Sequence, residues 1–447
     1  MPLSNDPSNS MLSRMPNRLH GCSSAEAEEI RGSYQIALLV ALSCVLQISE
    51  SLIPHPIPGL RLGLANLVTL VALVLMGFRP ALEIALLRTL LSSLIMGTFM
   101  SPTFILSFCG AVISTLVMGL LIQVSRFHRR LGFSIIGISI VGALTHNMVQ
   151  LYLAYLLLVH HSGIFVFFPW LCYGAVGMGW ITGAVAAGVC RRLTSNAPRA
   201  PSAMNFAQDN EGSFSTADYQ PHTGFLHRMP PEIKIAGIFM LALTVLAFSR
   251  MTLFIVLFCF LGLLILAAGI SPGFLLRHVR RYKVLILMAF LLPLFFNAGD
   301  RILFQKGWIT VTHEGLTQGG LFGLRILFLI LMSALLMRTT SPEQLTRGLS
   351  KLLTPLKYVG ISEQRTAGIL TLSWTAVPVL WDTARHSLRR SDISRTTHLR
   401  NLIPALSDFI AGMFAETHPE SVLWNRNRAG EEAPSAKPTT DQPMDLR

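Results

Sequence analysis

Residues 316–337 read LTQGGLFGLRILFLILMSALLM, and the next five residues are Arg338-Thr339-Thr340-Ser341-Pro342. The run is long and apolar enough to cross a bilayer, which takes about 20 mostly apolar residues in a helix. A basic stretch from Arg338 to Arg428 follows it, and we name this stretch the basic extension. The sequence therefore predicts a membrane domain that continues into a long cationic segment.

The composition of the whole chain also indicates a membrane protein. Of its 447 residues, 51% are hydrophobic and only 13% are charged, whereas about a quarter are charged in a typical soluble domain. The net charge is +13, and the positive residues occur in short clusters between apolar runs. Such clusters are typical of cytoplasmic loops, and no basic and aromatic array suggests a nucleic-acid surface. We expect a multi-pass protein of the inner (cytoplasmic) membrane that contacts the lipid bilayer and binds no nucleic acid.

A polar N-terminal tail at 1–33 precedes a first block of apolar segments at 34–192. The tail has no apolar core, so no cleavable signal peptide is expected. Basic residues at 79, 126–130 and 191–192 fall on one side of the membrane, which puts both ends of the block in the cytoplasm. We predict six helices in this block, at 34–53, 62–78, 80–98, 102–124, 133–160 and 165–190.

Polar side chains occur inside or at the ends of these helices, where a central charge costs roughly 2.5 to 3.5 kcal/mol on the insertion scale. Gln47 and Glu50 share a helix face, as do His146 and Gln150, because residues three or four apart lie on the same side. Such side chains either bond neighbouring helices or bind a ligand. The candidate substrate-binding residues are Gln47, Glu50, Arg61, Asn66, Arg88, His146, Asn147 and Gln150.

Several separated motifs of the first block resemble one known family. They are residues 58–66 (PGLRLGLAN), Arg88 ahead of Gly97-Thr98-Phe99, and residues 142–147 (GALTHN) with Gln150. The block resembles the Gx transporter family, which is also named heptaprenyl diphosphate synthase component I. The first name implies the substrate-binding S component of an energy-coupling factor importer, and the second implies a membrane subunit of prenyl diphosphate synthesis. Prenyl synthases bind Mg²⁺ through aspartate-rich motifs, and this block contains no aspartate.

A polar linker at 193–231 leads to a second block at 232–428, and a polar tail at 429–447 ends the sequence. The linker is rich in Ser, Asn, Pro, Thr and Ala, which predicts a flexible cytoplasmic connector. Arg325 lies inside the last apolar run. We expect it to reach the outer surface or to pair with Asp300 or Glu314, rather than to take part in transport chemistry. Four helices are predicted in this block, at 233–248, 251–270, 283–298 and 316–337, with a strand-like run at 308–312.

The basic extension contains several amphipathic segments. Pro342 suits the first turn of a helix whose leucines form an apolar stripe, as in a helix along the membrane interface. Residues 366–381 form a further apolar run that either re-enters or spans the membrane. An arginine-dense segment at 381–400 follows, and apolar residues then recur at helical spacing over 401–417.

Residues 225–428 resemble the transmembrane T component of the same importer class, the cobalt transport protein family. The matching residues are Pro231-Glu232-Ile233-Lys234, Asn297-Ala298-Gly299, residues 312–316 (THEGL) with Arg325, and residues 338–345 (RTTSPEQL). T components have two cytoplasmic coupling helices, each ending near an arginine between small residues that docks an ATPase. In this sequence, the resemblance assigns these two docking arginines to Arg395 and Arg426, with Arg428 as a competing choice for the second. Most of the usual small neighbours are replaced here, and Pro419 interrupts the second segment.

These observations predict an all-α polytopic membrane protein, with a six-helix S-component-like bundle before a T-component-like bundle with amphipathic cytoplasmic coupling helices. The sequence has no Gly-x-x-x-x-Gly-Lys-Ser/Thr loop for ATP phosphates. Together with this absence, the two resemblances imply a transporter subunit rather than an enzyme, driven by two separate ABC-type ATPase subunits that hydrolyse ATP. It would bind a small-molecule substrate and need no cofactor or metal of its own. An ATP-independent secondary transporter is a further alternative.

Overall fold

Over the residues that it describes, the computed structural model shows an all-α polytopic membrane protein with one β-hairpin. Each of the ten apolar helices that the sequence predicts is present. The described residues are 24–52, 63–96, 98–128, 132–159, 162–195, 229–248, 250–296, 301–306, 309–352, 363–390, 403–404, 407–408 and 410–412.

Six long helices form the first block. The helix α1 begins inside the polar tail, before the apolar run, and the other five keep to the predicted segments within a few residues. A π-helix at Tyr155–Val159 continues α5, and a 3₁₀-helix at Ser162–Phe167 leads into α6. The helices are α1 (Ser24–Leu52), α2 (Leu64–Leu75), α3 (Phe78–Ile95), α4 (Pro102–Phe127), α5 (Ile135–Ala154) and α6 (Phe168–Ser195).

The second block has a short helix and a strand that the sequence did not predict. The short helix α9 lies in the predicted cytoplasmic loop, and the strand β1 pairs with β2 in an antiparallel hairpin, with Phe304 opposite Val311. The elements are α7 (Pro231–Ala247), α8 (Met251–Ala267), α9 (Pro272–Arg281), α10 (Lys283–Phe296), β1 (Ile302–Lys306), β2 (Ile309–Thr312), α11 (His313–Thr339), α12 (Pro342–Leu352) and α13 (Glu363–Arg390).

Hydroxyl side chains fix where several helices begin. The Oγ of Ser101 accepts a hydrogen bond from the Phe104 N–H at 3.3 Å and caps α4. At α12, the Ser341 Oγ accepts from the Gln344 N–H, and the Gln344 Oε1 accepts from the Ser341 N–H. This reciprocal pair is a capping box, and Pro342 follows in the first turn, where its missing N–H is harmless. The predicted start of α12 is therefore confirmed.

Five helical spans in the described chain are long and apolar enough to cross a membrane: Gly32–Glu50, Pro102–Phe127, Ile135–Leu157, Ser162–Leu193 and His313–Thr339. The helix α13, which contains the run predicted to re-enter or span, is not among them. Large apolar side chains on α6 and α8 are exposed. Lipid tails are as apolar as these side chains, so a lipid-facing surface accounts for them.

The basic extension packs directly against the first block. Along α13, the Ser373 hydroxyl donates to the Ala37 carbonyl of α1 at 2.9 Å. Further along the extension, Asp408 forms an ion pair with Arg192 of α6 at 2.8 Å. The apolar middle of α1 is consequently buried by its own bundle and by α13 together.

The apolar stripe of α12 contacts protein. Leu345 and Leu349 are buried, and α12 packs on α7. Gly348 makes the approach close, because an added Cβ there would lie 2.8 Å from the Ile235 Cδ1. The Nζ of Lys351 and the Oε1 of Glu232 are 2.5 Å apart and join the same two helices. Residues predicted to suit the membrane interface thus form part of the core of the second block.

The expectation for Arg325 is wrong in one respect: its side chain does not reach the surface. The residue is fully buried, and its guanidinium donates to the carbonyl of Leu157 at 3.1 Å and to that of Phe248 at 3.3 Å. Asp300, one of its predicted partners, lies outside the described residues. Sequence spacing could not reveal this arrangement, because Leu157 belongs to the first block and bonds through its backbone.

Candidate functional site

A cavity of about 400 Å³ lies among the six helices of the first block. Every one of these helices contributes residues to its wall. The structure brings together seven of the eight predicted substrate-binding residues there, and Arg61 lies outside the described residues. The seven are Gln47, Glu50, Asn66, Arg88, His146, Asn147 and Gln150.

Arg88 on α3 links three of the helices around the cavity. Its side chain is only 3% exposed. One guanidinium nitrogen donates to the Gln47 Oε1 of α1 at 3.3 Å, and the other donates to the Asn66 Oδ1 of α2. A buried guanidinium needs such acceptors, because leaving it unsatisfied in an apolar region is costly. Three residues that are far apart in sequence therefore form one hydrogen-bonded group at the wall of the cavity.

Glu50 stabilises the start of α2 as well as lining the cavity. Its carboxylate oxygens accept hydrogen bonds from the backbone N–H groups of Gly63 at 2.8 Å and Leu64 at 3.2 Å. The first N–H groups of a helix lack partners within the helix, and a negative charge there is favourable. Gly63 has a φ of 74°, in the left-handed region that glycine adopts without strain. The cavity wall at this point thus depends on a cap between α1 and α2.

The remaining predicted residues lie on α5. His146 and Gln150 face the cavity together, as their spacing of four residues predicts. Gly110 on α4 gives them room, because an added Cβ would lie 3.0 Å from the His146 Cε1 and 3.3 Å from the Gln150 Cγ. Asn147 is already engaged in part, since its amide nitrogen donates to the Leu171 carbonyl on α6 at 3.2 Å.

Sequence reasoning missed the hydroxyl groups of the cavity. Thr89 and Ser93 lie four residues apart on α3 and line the cavity beside Arg88, and the hydroxyls of Ser139 and Thr182 are 3.0 Å apart across α5 and α6. A Thr–Ser pair four residues apart beside a buried arginine was the available signal, but serine and threonine are common in membrane helices. The missed hydroxyl residues are Thr89, Ser93, Thr98, Thr103, Ser107, Ser139 and Thr182.

An apolar wall completes the cavity, with Leu67, Leu70, Phe104, Met118 and Met178 among its residues. Small-molecule sites typically have volumes of about 300 to 1,000 Å³, with mostly apolar walls and a few placed polar groups. This cavity lies near the lower end of that range. It can hold a compact molecule that has an apolar part and several hydrogen-bonding groups.

The helices α5 and α6 approach closely beside the cavity because of two glycines. An added Cβ at Gly179 would lie 2.8 Å from the Ile140 Cα, and one at Gly183 would lie 2.8 Å from the Ile136 Cα. Such distances are shorter than any normal contact. Glycines four residues apart allow membrane helices to pack backbone against backbone. This packing sets the width of the cavity between Gly142 on α5 and Gly179 on α6.

Two other predictions concern chemistry at separate places in the chain. The predicted ATPase-docking residues, Arg395, Arg426 and Arg428, lie outside the described residues. Within the part of the chain that the structure describes, no group of three His, Cys, Asp or Glu residues is close enough to bind a metal ion. The five cysteines in that part are free thiols.

Two family models match the chain, one in each block. Residues 39–189 match the heptaprenyl diphosphate synthase component I family, and residues 222–420 match the cobalt transport protein family. The chain therefore combines one segment similar to the first family with a second segment similar to the other. The two matches lie in the order that the two resemblances predict, so the predicted resemblance of each segment to its family is confirmed.

The second segment is also similar to named transporter proteins. The energy-coupling factor transporter transmembrane protein EcfT of Brevibacillus brevis is 32% identical over 170 residues, which are 38% of this chain and 64% of that protein. EcfT of Listeria innocua is 30% identical over 171 residues, again 38% and 64% of the two chains. EcfT of Clostridium kluyveri is 27% identical over 208 residues, or 44% and 76%. The chain therefore spans less than two thirds of the length of the first two relatives.

Proposed function

We propose that this protein is the membrane subunit of an energy-coupling factor importer, a transporter of the ABC type, in the inner (cytoplasmic) membrane. The first block binds a small-molecule nutrient in its cavity. The second block transmits conformational change from two separate ATPase subunits, which hydrolyse ATP. The observation that carries the proposal is the direct contact of α13 and Asp408 with the helices that form the cavity.

The contacts with the cavity-bearing helices support the coupling role. The pair between Glu83 and Arg365 joins α3, which also carries Arg88, to the start of α13. The far end of α13 leads toward Arg395, which the resemblance to T components assigns to ATPase docking. Arginine suits such docking, because its planar fork pairs with two acceptors at once. A shift of α13 would therefore act on a helix of the cavity wall without any intermediate element.

The similarity of the second segment to EcfT proteins supports transport over prenyl transfer. The first segment matches a family named for heptaprenyl diphosphate synthase. Its sequence nevertheless contains no aspartate at 34–192 with which to bind Mg²⁺ and diphosphate. We therefore propose no prenyl-transfer activity for the protein.

Capture of ATPases by the full chain tests the proposal. The tagged protein is purified in detergent from its own cells, and the ATPase subunits that co-purify are identified and quantified. The double variant R395E/R426E should abolish their recovery, because a carboxylate cannot donate the paired hydrogen bonds of arginine and would repel the acceptor groups that arginine binds. R301E, at an exposed arginine beside β1, is the matched control and should recover as much ATPase as the unchanged chain.

The proposal fails if R395E/R426E recovers ATPases as well as R301E does. R428E, made separately, decides between Arg426 and Arg428 as the second docking residue. The substrate is sought independently, by mass spectrometry of small molecules released from the purified chain on denaturation.

A further inference from the structure

Arg325 occupies an unusual position in the middle of α11. Polar and ionisable side chains inside membrane helices are costly, and they face protein rather than lipid. Arg325 is fully buried, whereas most of its neighbours on α11 are apolar. It lines no part of the cavity. The residue therefore needs an explanation other than contact with the substrate.

The guanidinium of Arg325 connects the two blocks. One nitrogen donates to the carbonyl of Leu157, in the π-helix that ends α5 of the first block. The other donates to the carbonyl of Phe248, the residue that ends α7 of the second block. Its carbon Cζ also lies 5.5 Å from the centre of the Phe322 ring. One side chain thus holds the ends of two helices that belong to different blocks.

The π-helix suits this contact. In a π-helix each backbone bond reaches one residue further than in an α-helix, and such turns often occur at functional sites. Carbonyls at the end of a helix lack partners within the helix and attract cations. Leu157 lies in such a position in the described chain, shortly before residues 160–161 separate the π-helix from the 3₁₀-helix.

The surroundings of Arg325 are apolar and come from both blocks. Phe322, which lies beside the guanidinium, forms a buried apolar cluster with Ile326 and Leu329 of α11 and with Ala242 and Leu246 of α7. Ile105, Ala154 and Leu157 of the first block pack against the same cluster. Water has little access here, and a hydrogen bond from a charged donor is stronger where water is excluded.

The ion pairs that join the blocks in the described part of the chain are more accessible to water. The Arg192 and Asp408 side chains are 36% and 65% exposed, and the Arg365 side chain is 28% exposed. Exposed ion pairs contribute little to stability. In lipid, packed apolar helices have no hydrophobic force to hold them together, so interhelical polar contacts matter more. Among the charged side chains that join the blocks in the described residues, Arg325 is the most buried, whereas the buried hydrogen bond from Ser373 to the Ala37 carbonyl involves no charge.

We infer that Arg325 is a clamp between the two blocks, and that through it the first block stays bound to the second even when the linker is cut. The partner surface is the π-helix at Tyr155–Val159. This inference concerns the contact between the halves of the chain. It does not depend on the ATPases, on the substrate or on the proposed transport function.

Cutting the linker in the purified full chain tests the inference. A protease site is placed within residues 196–228, a tag is placed at the C-terminus, and the protein is cleaved in detergent. The measurement is the fraction of the N-terminal half that stays with the tagged half. We expect most of it to stay in the unchanged chain and less than half in R325M, which keeps a long apolar side chain without the donors.

Two further variants provide controls. R301M removes an exposed arginine of the same block and should retain the N-terminal half like the unchanged chain. R325Q keeps two N–H donors and should give an intermediate fraction. If uncut R325M elutes as an aggregate, R325Q replaces it in the test. The inference then requires that R325Q retain a smaller fraction of the N-terminal half than R301M does.

Amide hydrogen exchange of the uncut chain gives a second measurement. Exchange at Tyr155–Val159 should be faster in R325M than in R301M, because the carbonyl of Leu157 has lost its partner. The inference is overturned if the cleaved halves of the unchanged chain separate. It is also overturned if R325M, or R325Q in its place, retains the N-terminal half as well as R301M.

Discussion

The carboxylate of Glu83 on α3 lies 3.4 Å from the guanidinium of Arg365 on α13. Glu83 is only 5% exposed, so its charge has little contact with water. The same helix carries Arg88 at the cavity wall. One helix therefore has a charged contact with the basic extension and, one and a half turns further on, a charged group that faces the cavity.

Removing Arg365 should destabilise the protein more than neutralising Glu83. In R365M the buried carboxylate loses its cation, and the loss should be about 1 to 3 kcal/mol of unfolding free energy. E83Q removes the buried charge as well as the pair, and should cost less. Thermal unfolding in detergent measures both, with the double variant E83Q/R365M closing the cycle. Strict additivity of the two single effects would show that the residues do not interact.

Alanine at Gly179 or Gly183 should push α5 and α6 apart. The added Cβ would meet the backbone of α5 at 2.8 Å, and backbone cannot move aside as a flexible side chain can. We expect a loss of about 1 to 3 kcal/mol for each variant. Gly177 is the matched control on the same helix, because nothing lies within 4 Å of a Cβ added there. G177A should leave stability unchanged or raise it by up to about 1 kcal/mol through helix propensity.

Comparison of these variants by thermal unfolding tests whether α5 and α6 pack as the structure shows. G179A and G183A should both unfold at lower temperatures than G177A. Equal unfolding temperatures for all three would mean that the close approach of the two backbones is wrong.

Replacing Glu50 should loosen the start of α2. E50A removes both acceptors for the N–H groups of Gly63 and Leu64, and loss of a helix cap costs about 1 kcal/mol. E50Q keeps one carbonyl oxygen as an acceptor and should cost less than E50A. Hydrogen exchange at residues 63–67 measures the effect locally. Faster exchange that is the same in both variants would indicate that charge, rather than the acceptor, stabilises this helix end.

Lys234 should contribute more to the stability of the protein than Lys351 does. The Nζ of buried Lys234 donates to the Thr339 carbonyl at the end of α11, at 2.9 Å. A hydrogen bond from a charged group contributes about 1.5 to 3 kcal/mol, and K234M should lose most of this. K351M removes the exposed pair with Glu232 and should change stability little. Equal effects on thermal unfolding would contradict this difference in burial.

The sequence was sufficient for the membrane helices and for most of the candidate site. Apolar runs bounded by Pro, Gly and Arg located all ten helices, because a lipid-embedded backbone must satisfy its own hydrogen bonds. Gln47, Asn66 and Arg88 could be selected as candidates because polar side chains inside membrane helices are costly and often mark a functional site. The structure adds that they bond one another, which no spacing along the chain predicts.

Contacts across blocks and short elements could not be predicted. The partners of Arg325 are backbone carbonyls. Every residue has such a carbonyl, so the sequence does not indicate which one Arg325 binds. The helix α9 has too few residues and too many charges for the membrane-helix criterion. The pairing of β1 with β2 depends on a hairpin whose first strand, Ile302–Lys306, has no clear alternation of polar and apolar residues.

The two ends of the linker have a consequence for how such a chain is assembled. At one end, Arg192 near the end of α6 contacts Pro404 and Asp408. At the other, Pro231 at the start of α7 abuts Gly348 of α12. Residues 196–228 contain no apolar run that could cross the bilayer, so both ends lie on one side. The linker thus leaves the membrane orientation of each block unchanged. Two separately translated polypeptides could insert and pair in the same way.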